Sequence, residues 1–335
     1  GWYYQLAWTP DGRKIAYSDK ELRLRLMDVA TGAVSTIDSS AGTPIRMFDW
    51  SPDGRYMAYT VSLDNLYGQV RIWDSQSKKV YPVSDPLFDS FNAAWDPDGK
   101  YLAYLSARRY NPYPDRTEAR FIIDNAVVPV MVALQADGKL PFPLLSETDP
   151  AGDDDKDDAT DKPAGGKAAE GKGAPGKTAA AKADPAPAPI RIDFDGLMQR
   201  AAEVPVTPAN YIGLRALPGK LHFMNFENRG LAPPDDDDNP PDDEGPGGTL
   251  YTYDLDDRKL STVADGVQSY DVSGDARVLV YQTKDGFVRL EAGATSAPTG
   301  DDLADAQVNL EGWTLSINPR EEWKQEVLSH QELFE

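Results

Sequence analysis

One pattern is written three times in this sequence. QLAWTPDGRKIAYSD (5–19), FDWSPDGRYMAYT (48–60) and NAAWDPDGKYLAYLS (92–106) share a frame, with Trp8, Trp50 and Trp95 separated by 42 and 45 residues. Each copy ends a short apolar run in Trp, passes through [Ser/Thr/Asp]-Pro-Asp-Gly, and resumes after a basic residue with Ile/Met/Leu-Ala-Tyr. Pro presets φ at the second turn position, and Asp-Gly supplies a locally bonding side chain beside a residue that tolerates positive φ. Two apolar runs joined in this way form a hairpin. A third run follows, LRLRLMDV at 22–29 and QVRIWDS at 69–75. Polar turns then lead into a weaker fourth, VSTI or VYPV. Four strands in roughly 40–45 residues is the period of a propeller blade. One blade cannot bury both of its faces, so blades stack around an axis. An antiparallel sandwich with similar hairpins is the alternative, but nothing fixes the period of a sandwich.

Two further units are degraded but legible. YIGLRALPGKLHF (211–223) with TLYTYDLDDRKLSTV (249–263) forms one, split by an insertion. QSYDVSGDARVLVY (268–281) forms another, with Ser-Gly-Asp-Ala in place of Ser-Pro-Asp-Gly. The expected fold is therefore all-β, with about five recognisable four-stranded blades over 1–145 and 190–310. Because a unit is already under way at Trp2, earlier blades are expected to precede this segment.

Two insertions interrupt the blades. Residues 146–189 contain no Val, Ile, Phe, Tyr, Trp or Met, and Lys162, Lys167, Lys172, Lys177 and Lys182 recur every five residues. That spacing matches neither helix nor strand, and the segment is expected to be a disordered loop. The run LAPPDDDDNPPDDEGPGG (231–248) clusters carboxylates without the ligand alternation of a calcium loop, and its prolines oppose a wrapped cage. It reads as a solvated hairpin extension. These segments supply about half of the formal charge of −21, which comes from 34 basic and 55 acidic residues. A surface this acidic argues against nucleic acid as a partner.

Little in the chain suggests catalysis. Cysteine is absent, which excludes thiol nucleophiles and suits a cytosolic or a periplasmic protein equally. No apolar run approaches the 18 residues of a membrane span. Of the two histidines, His222 lies within a strand pattern and His330 within the closing helix pattern, and no Gly-x-Ser-x-Gly occurs. No metal or cofactor is expected. Basic residues near the axis stand out as candidates: Arg46 before the second inner strand, Arg108 and Arg109 after the third hairpin, and Arg215 in the fourth inner strand. Cations in a narrow acidic channel would attract a carboxylate terminus. The ordinary alternative for each is a solvated surface arginine.

Two stretches go beyond a generic propeller. RIDFDGLMQRAAEVPVTPANYIGLRALPGKLHFM (191–224) has an Asp-x-x-Gly-Leu-x-x-Arg segment running through Val-Pro into an Asn-Tyr strand. NLEGWTLSINPREEWKQEVLSHQELF (309–334) carries a Pro-Arg-x-Glu-Trp helix start, with Asn318 as cap, Pro319 in the first turn and Glu321 completing a capping box. With the Trp repeats, these resemble the tricorn protease family at its second propeller. The resemblance implies a seven-bladed type of propeller, followed over 311–335 by an exit strand and helix toward a catalytic region. It implies a cytoplasmic serine peptidase acting on oligopeptides, with a PDZ domain in the same parent chain and assembly into a homo-oligomer. This segment would be its substrate channel and scaffold, with the catalytic residues beyond Glu335. The rival readings are a non-enzymatic protein-binding propeller of the periplasmic translocation-associated type and a prolyl-oligopeptidase-type propeller. RFIIDNAVVPVMVAL after the third hairpin, and the long insertion, depart from the family pattern.

Overall fold

The computed structural model describes residues 3–110, 112–114, 121–142, 188–227, 247–310 and 312. They form five antiparallel sheets of three or four strands in chain order, and one separate two-stranded hairpin. The first comprises β1 (Tyr3–Trp8), β2 (Lys14–Asp19), β3 (Arg23–Asp28) and β4 (Val34–Ser39). The second comprises β5 (Phe48–Trp50), β6 (Tyr56–Ser62), β7 (Gly68–Asp74) and β8 (Val80–Pro82). The third begins with β9 (Asp89–Trp95) and β10 (Tyr101–Ala107). A side hairpin of β11 (Tyr113–Pro114) and β12 (Phe121–Ile122) intervenes before β13 (Val127–Ala133) and β14 (Ala201–Glu203) complete the third sheet. The fourth is β15 (Tyr211–Leu217), β16 (Lys220–Asn225), β17 (Gly248–Asp254) and β18 (Lys259–Val267). The fifth has three strands, β19 (Ser269–Val272), β20 (Val278–Thr283) and β21 (Gly286–Glu291).

The repeated turn explains why the hairpins recur. Ser51 donates its hydroxyl to Asp53 at 2.6 Å and accepts the Tyr56 N–H at 2.9 Å, while Asp53 accepts the Arg55 N–H at 3.1 Å. The first unit repeats this with Thr9, Asp11 and Lys14, and the fifth with Ser273, Asp275 and Val278. The fourth turn residue is left-handed each time: Gly12 at φ 66°, Gly54 at 70° and Gly99 at 68°, but Ala276 at 55° in the fifth unit. Ala276 therefore bears strain of about 1 kcal/mol that a glycine would not.

Inner strands of the second, third and fourth sheets are buried on both faces because each of these sheets has a neighbour on either side. On β6, Tyr56 and Ala58 pack toward the third blade, while Met57, Tyr59 and Val61 pack toward the first. On β10, Leu102 and Tyr104 face the second blade, and Ala103 and Leu105 face the fourth. Four such cores join the five sheets in series into an open arc. Each fully buried large side chain contributes roughly 1.5–3 kcal/mol. The repeated Trp reports this stacking. Trp50 and Trp95 are 8 % and 5 % exposed, each covered by the preceding blade, whereas Trp8 is 57 % exposed with no sheet before it among the described residues. A second link between the first two blades sits at their rim, where Asp38 on β4 accepts from Tyr59 Oη and from Arg71, both at 2.9 Å. Burial and the Asp38 charge push the Tyr59 phenol far up, so it stays a donor.

The third blade departs from the simple repeat. Its last strand, β14, joins β13 only after residues 134–200. The Asp-x-x-Gly-Leu-x-x-Arg motif closes that gap. Gly196 turns the chain at φ 69°, Leu197 is buried, and a short 3-10 turn (Met198–Arg200) presents the Arg200 guanidinium. Arg200 donates to the carbonyls of Ala133 at 2.9 Å, Asp195 at 2.8 Å and Leu134 at 3.3 Å, and also to that of Asp193. Asp193 in turn accepts the Ala136 N–H at 3.0 Å. The motif is thus a backbone clamp.

The fifth blade differs from the expected four strands. Among the described residues it has no fourth strand; helix α1 (Asp301–Ala306) packs near β21, and Gln307 makes a single bridge to Val288. Residues 143–187 and 228–246, which hold most of both insertions, and 313–335, with the expected exit helix, lie outside the described residues.

Candidate functional site

The first strand of every sheet faces a common hub, because side chains on these strands stitch each one to the next. Gln5 Nε2 on β1 donates to the Phe48 carbonyl on β5 at 3.3 Å. Trp95 Nε1 on β9 donates to the Asp49 carbonyl on β5 at 3.2 Å. Asn92 on β9 bonds both backbone groups of Leu214 on β15, donating from Nδ2 at 3.1 Å and accepting at Oδ1 at 2.9 Å. Tyr270 Oη on β19 donates to the Gly213 carbonyl on β15. Asn92 and Gly213 sit where β9 and β15 bulge, both at positive φ, 52° and 66°. An Asn tolerates that conformation and offers both a donor and an acceptor.

Register then identifies one layer of the hub. Ala7, Asp49, Ala94, Arg215 and Asp271 pair with Ala16, Ala58, Ala103, His222 and Val280 on the adjoining second strands. Those partners all occupy the Ala place of the Ile/Met/Leu-Ala-Tyr pattern. Three charges thus share a level on blades two, four and five. Arg215 Nε lies 3.5 Å from Asp271 Oδ1, with both side chains largely exposed. Asp49 is open to solvent, yet enclosure by the surrounding wall pushes its carboxyl up. The Trp50 N–H at 2.8 Å and the Arg215 charge oppose that rise, and the Asp271 charge adds to it. The layer holds one more carboxylate than cation.

The four arginines read from the sequence occupy different places. Arg215 is in this layer. Arg46 stands exposed just before β5, its guanidinium 4.7 Å from the Tyr4 ring centroid. Arg108 donates to Ser106 Oγ at 3.0 Å and lies 5.0 Å from the Phe88 ring centroid. Arg109 pairs with Glu203 on β14, the fourth strand of the third blade, at 2.6 Å. Asp49, Asp271, Asn92 and Tyr270 join the site although the sequence reading does not single them out. The signal was present, because Asp49 and Asp271 each sit one residue before the Trp position of their unit.

His222 is fully buried on β16, with Nε2 2.8 Å from the Ala292 carbonyl. Burial holds its pKa below the ordinary value, so the ring is neutral and sealed from any substrate. Among the described residues no group of three or more His, Asp or Glu could hold a metal ion. Nor is any helix among them long and apolar enough to cross a membrane.

Residues 1–293 match the family model described as "Tricorn protease second beta propeller domain". The chain belongs to that family. The tricorn protease homolog of Saccharolobus solfataricus is 23 % identical over 318 residues, covering 95 % of this chain and 26 % of its own length. Tricorn protease homolog 1 of Streptomyces coelicolor is 24 % identical over 322 residues, covering 96 % of this chain and 28 % of its own. The crystal structure of the tricorn protease superposes with a TM-score of 0.64 at 18 % identity, over 87 % of this chain and 25 % of that one. The chain therefore spans about a quarter of the tricorn relatives it matches. Of the readings open from the sequence, the tricorn propeller is the one these matches support.

Proposed function

We propose that this chain is the wall of a peptide conduit in a tricorn-type serine peptidase. Oligopeptides pass along the hub, and the hydrolytic residues belong to other parts of the parent chain. The observation that carries this reading is the layer of Asp49, Arg215 and Asp271, three solvent-facing charges projected to one level by the first strands of separate blades. Polar, stiffly stitched walls hold open a path for an extended chain without giving it an apolar pocket in which to rest. The neutral, buried His222 supports placing the chemistry elsewhere. By the same family logic, the parent carries catalytic and PDZ domains, assembles as a homo-oligomer and works in the cytoplasm.

The test is to plug the hub. Asp271→Cys, alkylated with a bulky maleimide in the intact parent peptidase, is expected to slow turnover of long peptides more than that of dipeptide-sized reporters. A rim control, Thr36→Cys on β4 with the same label, should change neither. Equal rates for hub-labelled and rim-labelled enzyme on long peptides would count against the conduit.

A further inference from the structure

We propose that a cavity of about 440 Å³ at the mouth of the hub binds the free carboxylate end of an oligopeptide, an assignment that rests on the conduit reading. The cavity lies between the second and third blades, where β5 and β9 begin. Its lining includes Arg46, Met47, Thr60, Ser62, Leu66 and Asp89.

Arg46 is exposed, its guanidinium lies over the Tyr4 ring, and its N–H fork is free of any carboxylate among the described residues. Arg215 and Arg109, by contrast, are already paired with Asp271 and Glu203. A planar fork of this kind matches a carboxylate through two parallel bonds. Behind it, Thr60 Oγ1 and Ser62 Oγ have no hydrogen-bond partner, and Ser62 is only 7 % exposed. Buried hydroxyls without partners are costly, and each can donate to a carbonyl or accept a peptide N–H. Gly68 lets the wall close tightly beneath them: a Cβ there would come within 2.6 Å of the Ser90 carbonyl and 3.0 Å of Thr60 Cγ2.

Asp89 is the one carboxylate in the lining among the described residues, and its Oδ1 is tied to the wall by the Gly68 N–H at 2.7 Å. Its charge disfavours small, multiply charged anions over a peptide that brings a single carboxylate with N–H groups. The lips are apolar, with Leu66 72 % and Met47 42 % exposed, ready to pack on a terminal side chain. Asp49 follows Arg46 by three residues, about 10 Å in extended chain. A peptide anchored by its carboxylate at Arg46 can therefore lay its amino end toward the acid-rich layer.

The experiment compares N-acetylphenylalanine with N-acetylphenylalaninamide by titration calorimetry on the intact parent chain. The acid is expected to bind about tenfold more tightly than the amide, the effect of one charge-assisted contact. Arg46→Gln should erase that preference and Ser62→Ala should reduce it. Arg215→Gln should leave it intact, and unchanged thermal midpoints would show that the variants fold. Equal affinity of acid and amide in the native protein would overturn the proposal. So would a preference that survives Arg46→Gln, or one lost in Arg215→Gln instead. If the acid–amide preference is absent while the Asp271 plug still blocks long peptides, the pocket assignment fails and the conduit stands. If the preference holds while the plug is harmless, the pocket stands and the conduit fails.

Discussion

Arg200→Met lowers the stability of the propeller by about 4 kcal/mol, read as a fall in the urea midpoint at unchanged slope. Arg200 gathers the carbonyls of Ala133, Leu134, Asp193 and Asp195 under one guanidinium. Methionine fills a similar volume, so the loss isolates the polar contacts. Hydrogen bonds to a charged donor are each worth roughly 1.5–3 kcal/mol, and several carbonyls would be left unpaired together. The consequence is local to the third blade, because the clamp fixes the turn that leads into β14 and so supports its three-residue pairing with β13. Lysine keeps the charge but cannot present a planar fork to several acceptors, so Arg200→Lys should recover less than half of the loss. A cost below about 1 kcal/mol for Arg200→Met would mean that β14 is held by strand pairing alone.

The second large effect is expected at the hub. Asn92→Ala should cost about 3–4 kcal/mol, because it removes both bonds to the backbone of the fully buried Leu214 and places a Cβ-bearing residue without a polar side chain at φ 52°. Asn92→Gly loses the same bonds but none of the conformational tolerance, so it should cost about 1 kcal/mol less. That ordering separates the stitch from the strain. If Gly and Ala destabilise equally, the left-handed backbone at Asn92 is not what selects its residue type.

Much of the architecture is legible in the sequence because the repeated turn carries its own chemistry. A hydroxyl or carboxylate, a Pro, an Asp and a Gly close the hairpin without help from the rest of the fold. This is why the first two blades, and the first hairpin of the third, fall where the pattern puts them. Legibility fails where a strand has no local turn to announce it. Ala201–Glu203 is three residues long and far from its partner in sequence, so only the Arg200 clamp betrays it. Helix α1 is six residues of Asp, Leu and Ala after a Gly, too short for a periodic signal. The site was half legible. Arginines can be read off a sequence, but which of them face the axis depends on register. Counting back one residue from Trp50 and from Val272 finds Asp49 and Asp271, whereas Arg109 turns toward the rim because Glu203 arrives from a distant strand.

The most direct test is to ask where a peptide touches this propeller. A peptide carrying benzoylphenylalanine, irradiated with the intact parent chain and mapped by mass spectrometry, should cross-link to β1, β5, β9, β15 and β19, and to the residues around Asp49, Arg215 and Asp271. Excess unlabelled peptide should suppress those adducts. Adducts confined to the rim strands β4, β8, β14 and β18, or hub adducts indifferent to competitor, would contradict a hub through which peptides travel.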